Sequence, residues 1–511
     1  MSHALPADET IPALARAGLV GGPLLFLALY FWPGLGLDPA QRRVAAVAAW
    51  TATWWLTSAQ PVGATSLLPA ALLPLLGVMD AKAVAPFYMD DLVLLFLGAF
   101  LLTRGLERWN VHRRLALFVL ARVGTEPRRL VLGMMCATAL VSAFVNNTST
   151  TLLMLPIASA VLSAYATADA RGRASFARAL LLGVAYSASV GGIATPVGTA
   201  PNQIFLGQFR ARFPEAGEIS FVQWTLAWTP VVLLYLPLGW YLLVRVLFDV
   251  PADLGRGRAV VEAERRALGP WQSGEKRMAA LFLLTALLWL TRADLDLGAL
   301  HLPGWGERLK GTLERGGVTD ATVAIAVALV AFLMPSGARG GGTLLDWHTA
   351  RTLPWDVLLL FGGGFALAGA FKASALDVFI GSTLAPWISG QPTWVVVLSL
   401  VLLVTALSEL ASNVATTQVM LPIVGQAAVA AGFSPLLAMV PTTIAASNGF
   451  MLPVATPPNA IVFATGEIPA TTMARAGFVF DLVMAALVTG VFLTWGRFVL
   501  EIGTELPAWA H

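Results

Sequence analysis

A polar cluster interrupts an otherwise apolar segment at Val145-Asn146-Asn147-Thr148-Ser149-Thr150-Thr151, which runs on to Met154-Leu155-Pro156-Ile157. The pattern returns downstream as Ser412-Asn413-Val414-Ala415-Thr416-Thr417, running on to Met420-Leu421-Pro422-Ile423. Asn147 corresponds to Asn413, and the proline of each copy follows at the same distance. In hydrocarbon, small polar groups are costly unless they line a cavity or bind a ligand. Two copies at one fixed separation therefore predict one site built from two halves.

The composition is that of a polytopic membrane protein. Of the 511 residues, 57% are hydrophobic and only 12% are charged, whereas a soluble domain carries about 25% charged residues. Several apolar runs reach the roughly 18–20 residues that span a bilayer. The net charge of +3 gives no reason to expect nucleic acid as a partner, and a single cysteine, Cys136, excludes an internal disulfide framework. The predicted fold class is all-α, with many membrane helices.

Helices are expected wherever apolar residues run for a helix length between turn or charge signals. They lie near 18–36, 44–58, 63–79, 91–106, 179–192, 222–248, 278–291, 319–334 and 476–499. A basic amphipathic stretch covers 107–122, and the first polar cluster lies within 130–165. The first run is interpreted as a retained helix, because residues 1–18 contain Asp8 and Glu9 and lack the basic region of a signal peptide.

The second half of the chain repeats three blocks of the first half in the same order. The first block is Phe96-Leu97-Gly98-Ala99-Phe100-Leu101-Leu102, which resembles Phe361-Gly362-Gly363-Gly364-Phe365-Ala366-Leu367. The polar cluster is the second block. The third is a break rich in Gly and Pro, Pro196-Val197-Gly198-Thr199-Ala200-Pro201-Asn202, matched by Pro453-Val454-Ala455-Thr456-Pro457-Pro458-Asn459. Three ordered matches predict an internal duplication.

These blocks divide the chain into five predicted parts. They are 1–90 for amino-terminal scaffold helices, 91–215 for repeat 1, 216–350 for further scaffold helices with a cytoplasmic linker at 249–277, 351–470 for repeat 2, and 471–511 for a carboxy-terminal helix. Each repeat is expected to contain one helical hairpin and one broken helix.

Basic residues are distributed unequally between the two repeats. Ten arginines lie between positions 104 and 178, whereas the corresponding window, 370–444, holds one basic residue, Lys372. Short basic loops stay in the cytoplasm, so repeat 1 is expected to open to the cytoplasm and repeat 2 to the opposite side. Arg42 and Arg43 disagree with this orientation, since they follow the first helix on its outer side. The charge pattern therefore predicts repeats that are inverted in the membrane.

The polar clusters have the chemistry of an ion site. Two short helices that meet at Asn146-Asn147-Thr148 would form a re-entrant hairpin, and its tip would leave backbone carbonyl and amide groups unpaired. Carbonyls coordinate a small cation, and helix amino termini favour an anion. An Asn side chain offers an amide oxygen to a cation and an NH₂ group to a carboxylate. In the breaks, Gly198 and Ala455 can offer backbone carbonyls, and Thr199 and Thr456 can face a shared ligand.

Simpler interpretations exist for single residues. Small polar residues in membrane helices often only mediate packing, but matched clusters together with matched breaks favour a ligand site. Glu409 is either a proton or cation group or the buried partner of a hairpin hydroxyl, while Asp91 and Asp356 are expected to cap helix ends. The five histidines lack metal-ligand spacing, and no nucleophile set or catalytic carboxylate pair stands out. An intramembrane enzyme is therefore not favoured.

These motifs resemble those of the divalent anion/sodium symporter family, which includes bacterial and animal di- and tricarboxylate carriers. The resemblance covers nearly the whole chain and rests on the two hairpin tips and on the second break, with Trp54-Trp55 and Leu67-Leu68-Pro69 fitting the early helices. It implies about eleven transmembrane helices, two re-entrant hairpins and two broken helices. It further implies a homodimer with a scaffold domain, surrounded by membrane lipid, that works as an elevator.

The resemblance also implies ligand residues, with two sodium sites and no organic cofactor. The implied sodium ligands are Ser142, Asn146, Asn147 and the Gly198 backbone in the first site, and Ser408, Ala411, Asn413 and the Ala455 backbone in the second. The carboxylates of a small di- or tricarboxylate would lie against Asn147, Thr148, Thr199, Ser412, Asn413, Thr456 and Pro457.

Both tips depart from the family pattern of Ser-Asn-Thr. The first tip has Asn146, which keeps an oxygen ligand but adds bulk, and the second has Val414, which removes a hydroxyl. The expected function is sodium-driven import of small divalent anions, above all C4-dicarboxylates, across a bacterial inner membrane. A sodium-independent dicarboxylate exchanger and a carrier of sulfate or another inorganic oxyanion are the alternatives.

Overall fold

A computed structural model describes residues 13–32, 34, 36–123, 126–165, 170–251, 263, 266–296, 301–310, 317–338 and 341–510. Within these ranges the chain is mostly helical, and its two short strands, Leu295–Asp296 and His301–Leu302, pair with each other antiparallel. Seven of the described helices are long and apolar enough to cross a membrane. The predicted helical membrane class is thereby confirmed. Most of the predicted linker at 249–277 lies outside the described residues.

The described residues of the amino-terminal part form seven α-helices. Their bounds are α1 Ala13–Phe31, α2 Pro39–Thr57, α3 Val62–Thr65, α4 Leu68–Leu75, α5 Ala81–Val84, α6 Asp91–Arg108 and α7 Val111–Val123. The prediction of a single helix at 63–79 is wrong, because the chain turns between α3 and α4. Pro69 lies in the first turn of α4 and lacks an N–H group, so it favours the start of a new helix over the continuation of α3.

Repeat 1 forms a hairpin followed by a broken helix. The hairpin arms are α8 Pro127–Ser142 and α9 Asn147–Ala164, and the broken helix consists of α10 Ala170–Gly192 and α11 Ala200–Arg212. The Asn146 side chain accepts a hydrogen bond from Ser149 N at 2.8 Å and so caps α9. The polar cluster is thus the tip between α8 and α9.

The described residues of the middle of the chain include five further helices. Their bounds are α12 Phe221–Tyr241, which continues as a π-helix over Leu242–Leu247, then α13 Ser273–Leu290, α14 Trp305–Lys310, α15 Asp320–Leu333 and α16 Trp347–Ala350. Helix α15 packs along α6, where Gly98 allows close approach: a Cβ at Gly98 would lie 2.6 Å from Ala324 Cβ.

Repeat 2 follows the order of repeat 1. Its elements are α17 Trp355–Ser374, α18 Leu376–Ile388, the hairpin arms α19 Thr393–Leu410 and α20 Asn413–Ala430, and the broken helix α21 Leu436–Ala445 and α22 Pro457–Phe463. The chain then forms α23 Ala470–Val491, a π-helix over Phe492–Gly496 and α24 Arg497–Val499. Ser412 caps α20 as Asn146 caps α9, with its hydroxyl 3.2 Å from Ala415 N.

The two repeats pack crosswise. Arm α9 of the first hairpin packs against α22, and arm α20 of the second hairpin packs against α11. The aligned phenylalanines Phe96 and Phe361 touch each other, with ring centroids 4.9 Å apart. Each repeat therefore rests on the broken helix of the other, and this packing brings the two polar clusters toward one region.

Charged residues join the helix ends. Asp91 was expected to be a cap, but Asp90 caps α6, and Asp91 instead accepts a hydrogen bond from Arg210 at 3.0 Å. Arg114 on α7 binds Glu275 on α13 at 2.8 Å, and both side chains are more than nine-tenths buried. Arg114 also donates to the carbonyls of Leu268, Gly269 and Pro270.

Replacement of Glu275 by Ala should destabilise the protein strongly. It leaves the Arg114 guanidinium buried without its carboxylate, which costs about 3–5 kcal/mol in comparable pairs. The matched control is Arg129→Ala, which breaks an exposed pair with Glu126 and should cost at most about 1 kcal/mol. Thermal unfolding of the purified protein measures both, and equal unfolding temperatures for the two variants would contradict this account.

Candidate functional site

The first candidate site lies where α8 ends and α9 begins. The Ser142 hydroxyl is fully buried and lies 2.9 Å from Asn147 Oδ1 and 2.6 Å from the Ala188 carbonyl of α10. Asn147 Nδ2 lies 3.5 Å from the Thr199 hydroxyl, across the break. Hairpin and broken helix thus meet through Ser142, Asn147 and Thr199, three residues that the sequence predicted for the site.

Gly192, the last residue of α10, leaves room for these groups. A Cβ at Gly192 would lie only 2.6 Å from Asn147 Oδ1 and 3.2 Å from the Gly198 carbonyl oxygen. The Asn147 amide oxygen and the Gly198 carbonyl therefore converge on the same small space. Both are neutral oxygen donors, and they meet beside Gly192 at the carboxy-terminal end of α10, where the helix dipole favours a cation. The donor set fits a small hard cation such as Na⁺.

The second candidate site repeats this geometry. Ser408 is fully buried, and its hydroxyl lies 2.8 Å from Asn413 Oδ1 and 2.7 Å from the Ala446 carbonyl. Gly449 takes the place of Gly192: a Cβ there would lie 3.0 Å from Ala455 Cβ and 3.3 Å from the Ser408 carbonyl oxygen. The predicted residues Ser408, Asn413 and Ala455 are therefore neighbours, and the donors again are neutral oxygens.

One asparagine holds each break in shape. Asn202 Nδ2 donates to the carbonyls of Gly192 and Thr195 at 3.1 and 2.8 Å. Asn459 Nδ2 donates to the corresponding carbonyls, of Gly449 and Leu452, both at 3.0 Å. The candidate residues chosen from sequence do not include these two asparagines, although each ends its aligned break. Their matched positions in the two aligned breaks were the signal that could have identified them. Each gives a side-chain donor to carbonyls at its break, where the regular helix hydrogen bonding ends.

The remaining candidate residues surround the tips. Asn146 and Ser412 use a side-chain oxygen to cap α9 and α20, and Thr148 lies partly buried in the first turn of α9. Ala411 ends α19, and Pro457 is exposed in the first turn of α22. Thr456, by contrast, is buried, and its hydroxyl accepts a hydrogen bond from Asn459 N at 3.3 Å.

Helix ends of both polarities meet at these clusters. Helices α8, α10, α19 and α21 end there, and α9, α11 and α20 begin there. Helix carboxyl ends carry partial negative charge and favour cations, whereas amino ends carry partial positive charge and favour anions. The site can therefore hold a cation and an anion side by side without a fixed charge on either tip.

Glu409, the residue after Ser408, has backbone partners. Its carboxylate oxygens accept hydrogen bonds from Met451 N at 2.8 Å and Leu452 N at 2.9 Å, in the second break. The interpretation of Glu409 as a partner of a hairpin hydroxyl is therefore wrong.

Comparison with known proteins agrees with this geometry. Residues 23–502 match the family described as the sodium:sulfate symporter transmembrane region. The chain belongs to this family. The resemblance to divalent anion/sodium symporters is thereby confirmed.

Two relatives of this symporter-family chain are similar over almost their whole length. The sodium-dependent dicarboxylate transporter SdcS of Staphylococcus saprophyticus is 38% identical over 500 residues, which cover 96% of this chain and 93% of SdcS. SdcS of Staphylococcus aureus is 36% identical over 498 residues, with the same coverage. The chain is accordingly a multi-pass membrane transporter, and the interpretation that it is not an enzyme is confirmed by its relatives.

Solved structures share the fold at low sequence identity. MtrF of Neisseria gonorrhoeae superposes with a TM-score of 0.59 at 15% identity and covers 96% of both chains. The YdaH transporter of Alcanivorax borkumensis superposes with a TM-score of 0.53 at 14% identity, over 83% of this chain and 88% of YdaH. The likeness at this identity concerns the fold alone. The assignment of single residues to sodium or substrate stays a prediction.

Replacement of Gly192 by Ala should impair transport without unfolding the protein. The added methyl group would lie 2.6 Å from Asn147 Oδ1, closer than any normal contact, so the Asn147 side chain must move away from position 192. The matched control is Gly490→Ala in α23, where a Cβ meets nothing within 4 Å. We expect sodium-dependent uptake to fall at least about tenfold for Gly192→Ala, since active-site displacements of this size carry such costs, and to stay normal for Gly490→Ala. Equal uptake by both variants would contradict the proposed crowding.

Proposed function

We propose that this chain is a secondary active transporter that imports small divalent anions, in particular C4-dicarboxylates, together with sodium. The observation that carries the proposal is the matched pair of oxygen-lined clusters at Ser142/Asn147 and Ser408/Asn413, each built from a hairpin tip and a helix break. The printed name of the SdcS relatives, sodium-dependent dicarboxylate transporter, supports the same substrate and ion.

The two asparagines couple sodium to substrate in this proposal. The Oδ1 atoms of Asn147 and Asn413 face the serine hydroxyls and the helix carboxyl ends, where sodium would bind. Their NH₂ groups remain to donate to a substrate carboxylate, with Thr148, Thr199, Ser412, Thr456 and Pro457 around them. Sodium first orders the two tips, and the anion then binds between positive helix amino ends. Because each asparagine serves both ligands, neither binds well alone.

The proposal extends to the architecture. It comprises about eleven membrane helices in inverted repeats, with the hairpins α8–α9 and α19–α20 re-entrant from the cytoplasm and from the opposite side. The domain limits are those given by the sequence: 1–90, 91–215, 216–350, 351–470 and 471–511. The transporter works as an elevator and forms a homodimer, with two sodium ions as co-substrates and no organic cofactor. The matched hairpins and breaks in the two halves of this chain support this arrangement.

A second candidate substrate is sulfate, because the family description names sodium and sulfate. Both candidates are dianions with oxygens that accept hydrogen bonds, so the helix ends would serve either. They differ in length and in the apolar carbons between the charges of a dicarboxylate. A sodium-independent exchange of dicarboxylates is the remaining alternative.

Uptake into proteoliposomes decides between these functions. Labelled succinate and labelled sulfate are offered with and without an inward sodium gradient, and with and without internal succinate. The expected result is succinate uptake that requires sodium. Uptake that ignores sodium but needs internal succinate identifies an exchanger, and uptake of sulfate alone identifies an oxyanion carrier; either outcome refutes the proposal.

Replacement of Asn147 or Asn413 by Ala should each abolish sodium-driven uptake in folded protein. Each change removes one oxygen from a sodium site and one donor from the substrate site, so the loss should exceed about 100-fold when two interactions of roughly 1.5 kcal/mol or more are lost together. Gln391→Ala, in an exposed loop between helices, removes an amide elsewhere and should transport normally. Wild-type uptake by both asparagine variants would refute the site assignment.

A further inference from the structure

In both repeats, hydrogen bonds at matching positions join the hairpin to the helix break. The side chain that makes the bond lies on the break in repeat 1 and on the hairpin in repeat 2. Ala143 and Glu409 directly follow the aligned serines of the hairpins, and Thr195 and Leu452 directly precede the aligned prolines of the breaks. In repeat 1 the Thr195 hydroxyl of the break donates to the backbone carbonyl of Ala143. In repeat 2 the donor lies on the backbone of the break, and the hairpin supplies the acceptor.

That acceptor is the Glu409 carboxylate. It is 5% exposed, and its two oxygens take the backbone N–H groups of Met451 and Leu452 at 2.8 and 2.9 Å. Repeat 1 has alanine at the corresponding position and therefore has no such clamp. Hydrogen bonds to a charged acceptor are about twice as strong as neutral ones.

The clamp acts on the peptide that shapes the second sodium site. The Leu452 N–H donates to Glu409, and the Leu452 carbonyl accepts a hydrogen bond from Asn459 Nδ2 at 3.0 Å. Both backbone polar groups of this residue are therefore fixed. Ala455, whose carbonyl is the candidate sodium ligand, follows three residues later. Ser408, on the opposite wall of that site, directly precedes Glu409. One side chain therefore ties the two walls together.

We infer that Glu409 is a positioning residue that presets the second sodium site, and that this clamp makes the second site tighter for sodium than the first. The inference rests on the proposed sodium-coupled function. It follows from the geometry because Glu409 fixes Ser408 relative to Ala455 through two hydrogen bonds, whereas in repeat 1 the Thr195 hydroxyl supplies a single neutral bond at the corresponding positions. A preordered site binds its ion without first ordering the backbone.

Glu409→Gln tests the inference because it keeps the shape of the side chain. Its NH₂ group would face one of the two backbone N–H groups, so one hydrogen bond is lost and two donors oppose each other. We expect the sodium concentration for half-maximal uptake to rise about tenfold or more, as for loss of a charge-assisted bond. At saturating sodium, the maximal rate and the KM for succinate should stay within about twofold of wild type, because only sodium binding is weakened.

Two comparison variants sharpen this test. Thr195→Val removes the neutral tie in repeat 1 without a change of shape and should raise the half-maximal sodium concentration less, by about threefold. Glu467→Gln replaces a glutamate that pairs with Arg173 at 2.9 Å, away from both sites and about one-third exposed, and should behave as wild type. Glu409→Asp, which retains the charge on a shorter arm, should recover part of the sodium affinity.

Hydrogen–deuterium exchange tests the clamp independently of transport. The amides of Met451 and Leu452 should be protected in the wild type and should exchange at least about tenfold faster in Glu409→Gln, since protection scales with the free energy of local opening. Exchange in this segment should be unchanged in Glu467→Gln. Unchanged exchange in Glu409→Gln would overturn the clamp, and a wild-type sodium requirement in that variant would overturn its role at the sodium site.

The outcomes separate this inference from the proposed function. If the wild-type protein shows no sodium-stimulated uptake of either dianion, the proposed function fails. The inference is then tested by hydrogen–deuterium exchange alone. Sodium should slow exchange over residues 446–456 in the wild type. Glu409→Gln should need about ten times more sodium for the same protection, the ratio expected from the lost hydrogen bond. Absence of any sodium effect on that segment would refute it.

Discussion

Backbone groups that are freed at a helix break must find partners inside the protein, because hydrocarbon offers none. This requirement governs the centre of the fold. Asn202 and Asn459 each donate to two carbonyls of their helix break. Thr195 and Glu409 join the breaks to the hairpins. With these groups satisfied, the carbonyls that remain at the helix ends are available for a cation.

The crosswise packing connects the two helix breaks mechanically. The second arm of each hairpin, α9 or α20, lies on a piece of the other repeat's broken helix, α22 or α11. A ligand that moves one hairpin tip therefore shifts a surface on which the other repeat rests. Neither tip carries a fixed charge, and the nearby carboxylate of Glu409 is already engaged by backbone N–H groups. Binding from dipoles alone is weak enough to permit release.

The sequence predicted the elements that interrupt an apolar background and missed the contacts between distant residues. Hairpins and breaks were predictable because polar clusters and Gly/Pro runs stand out against membrane helices. Helix limits were less certain: the first helix, expected at 18–36, spans Ala13–Phe31, since apolar composition alone does not mark an end. The partners of Glu409 and the pairing of Asp91 with Arg210 could not be predicted, because they join residues far apart along the chain.

The difference between the two tips bears on the choice of substrate. Position 414 corresponds to Thr148, yet it carries valine, whose side chain packs against apolar residues of the protein core. At this position, therefore, the first tip of the proposed pocket carries a hydroxyl and the second a pair of methyl groups. Sulfate has oxygen on every side and would leave one oxygen against those methyl groups without a donor, which is costly in a dry site. A C4-dicarboxylate carries methylene groups between its charges and can place them there. The valine therefore favours the dicarboxylate over the inorganic anion.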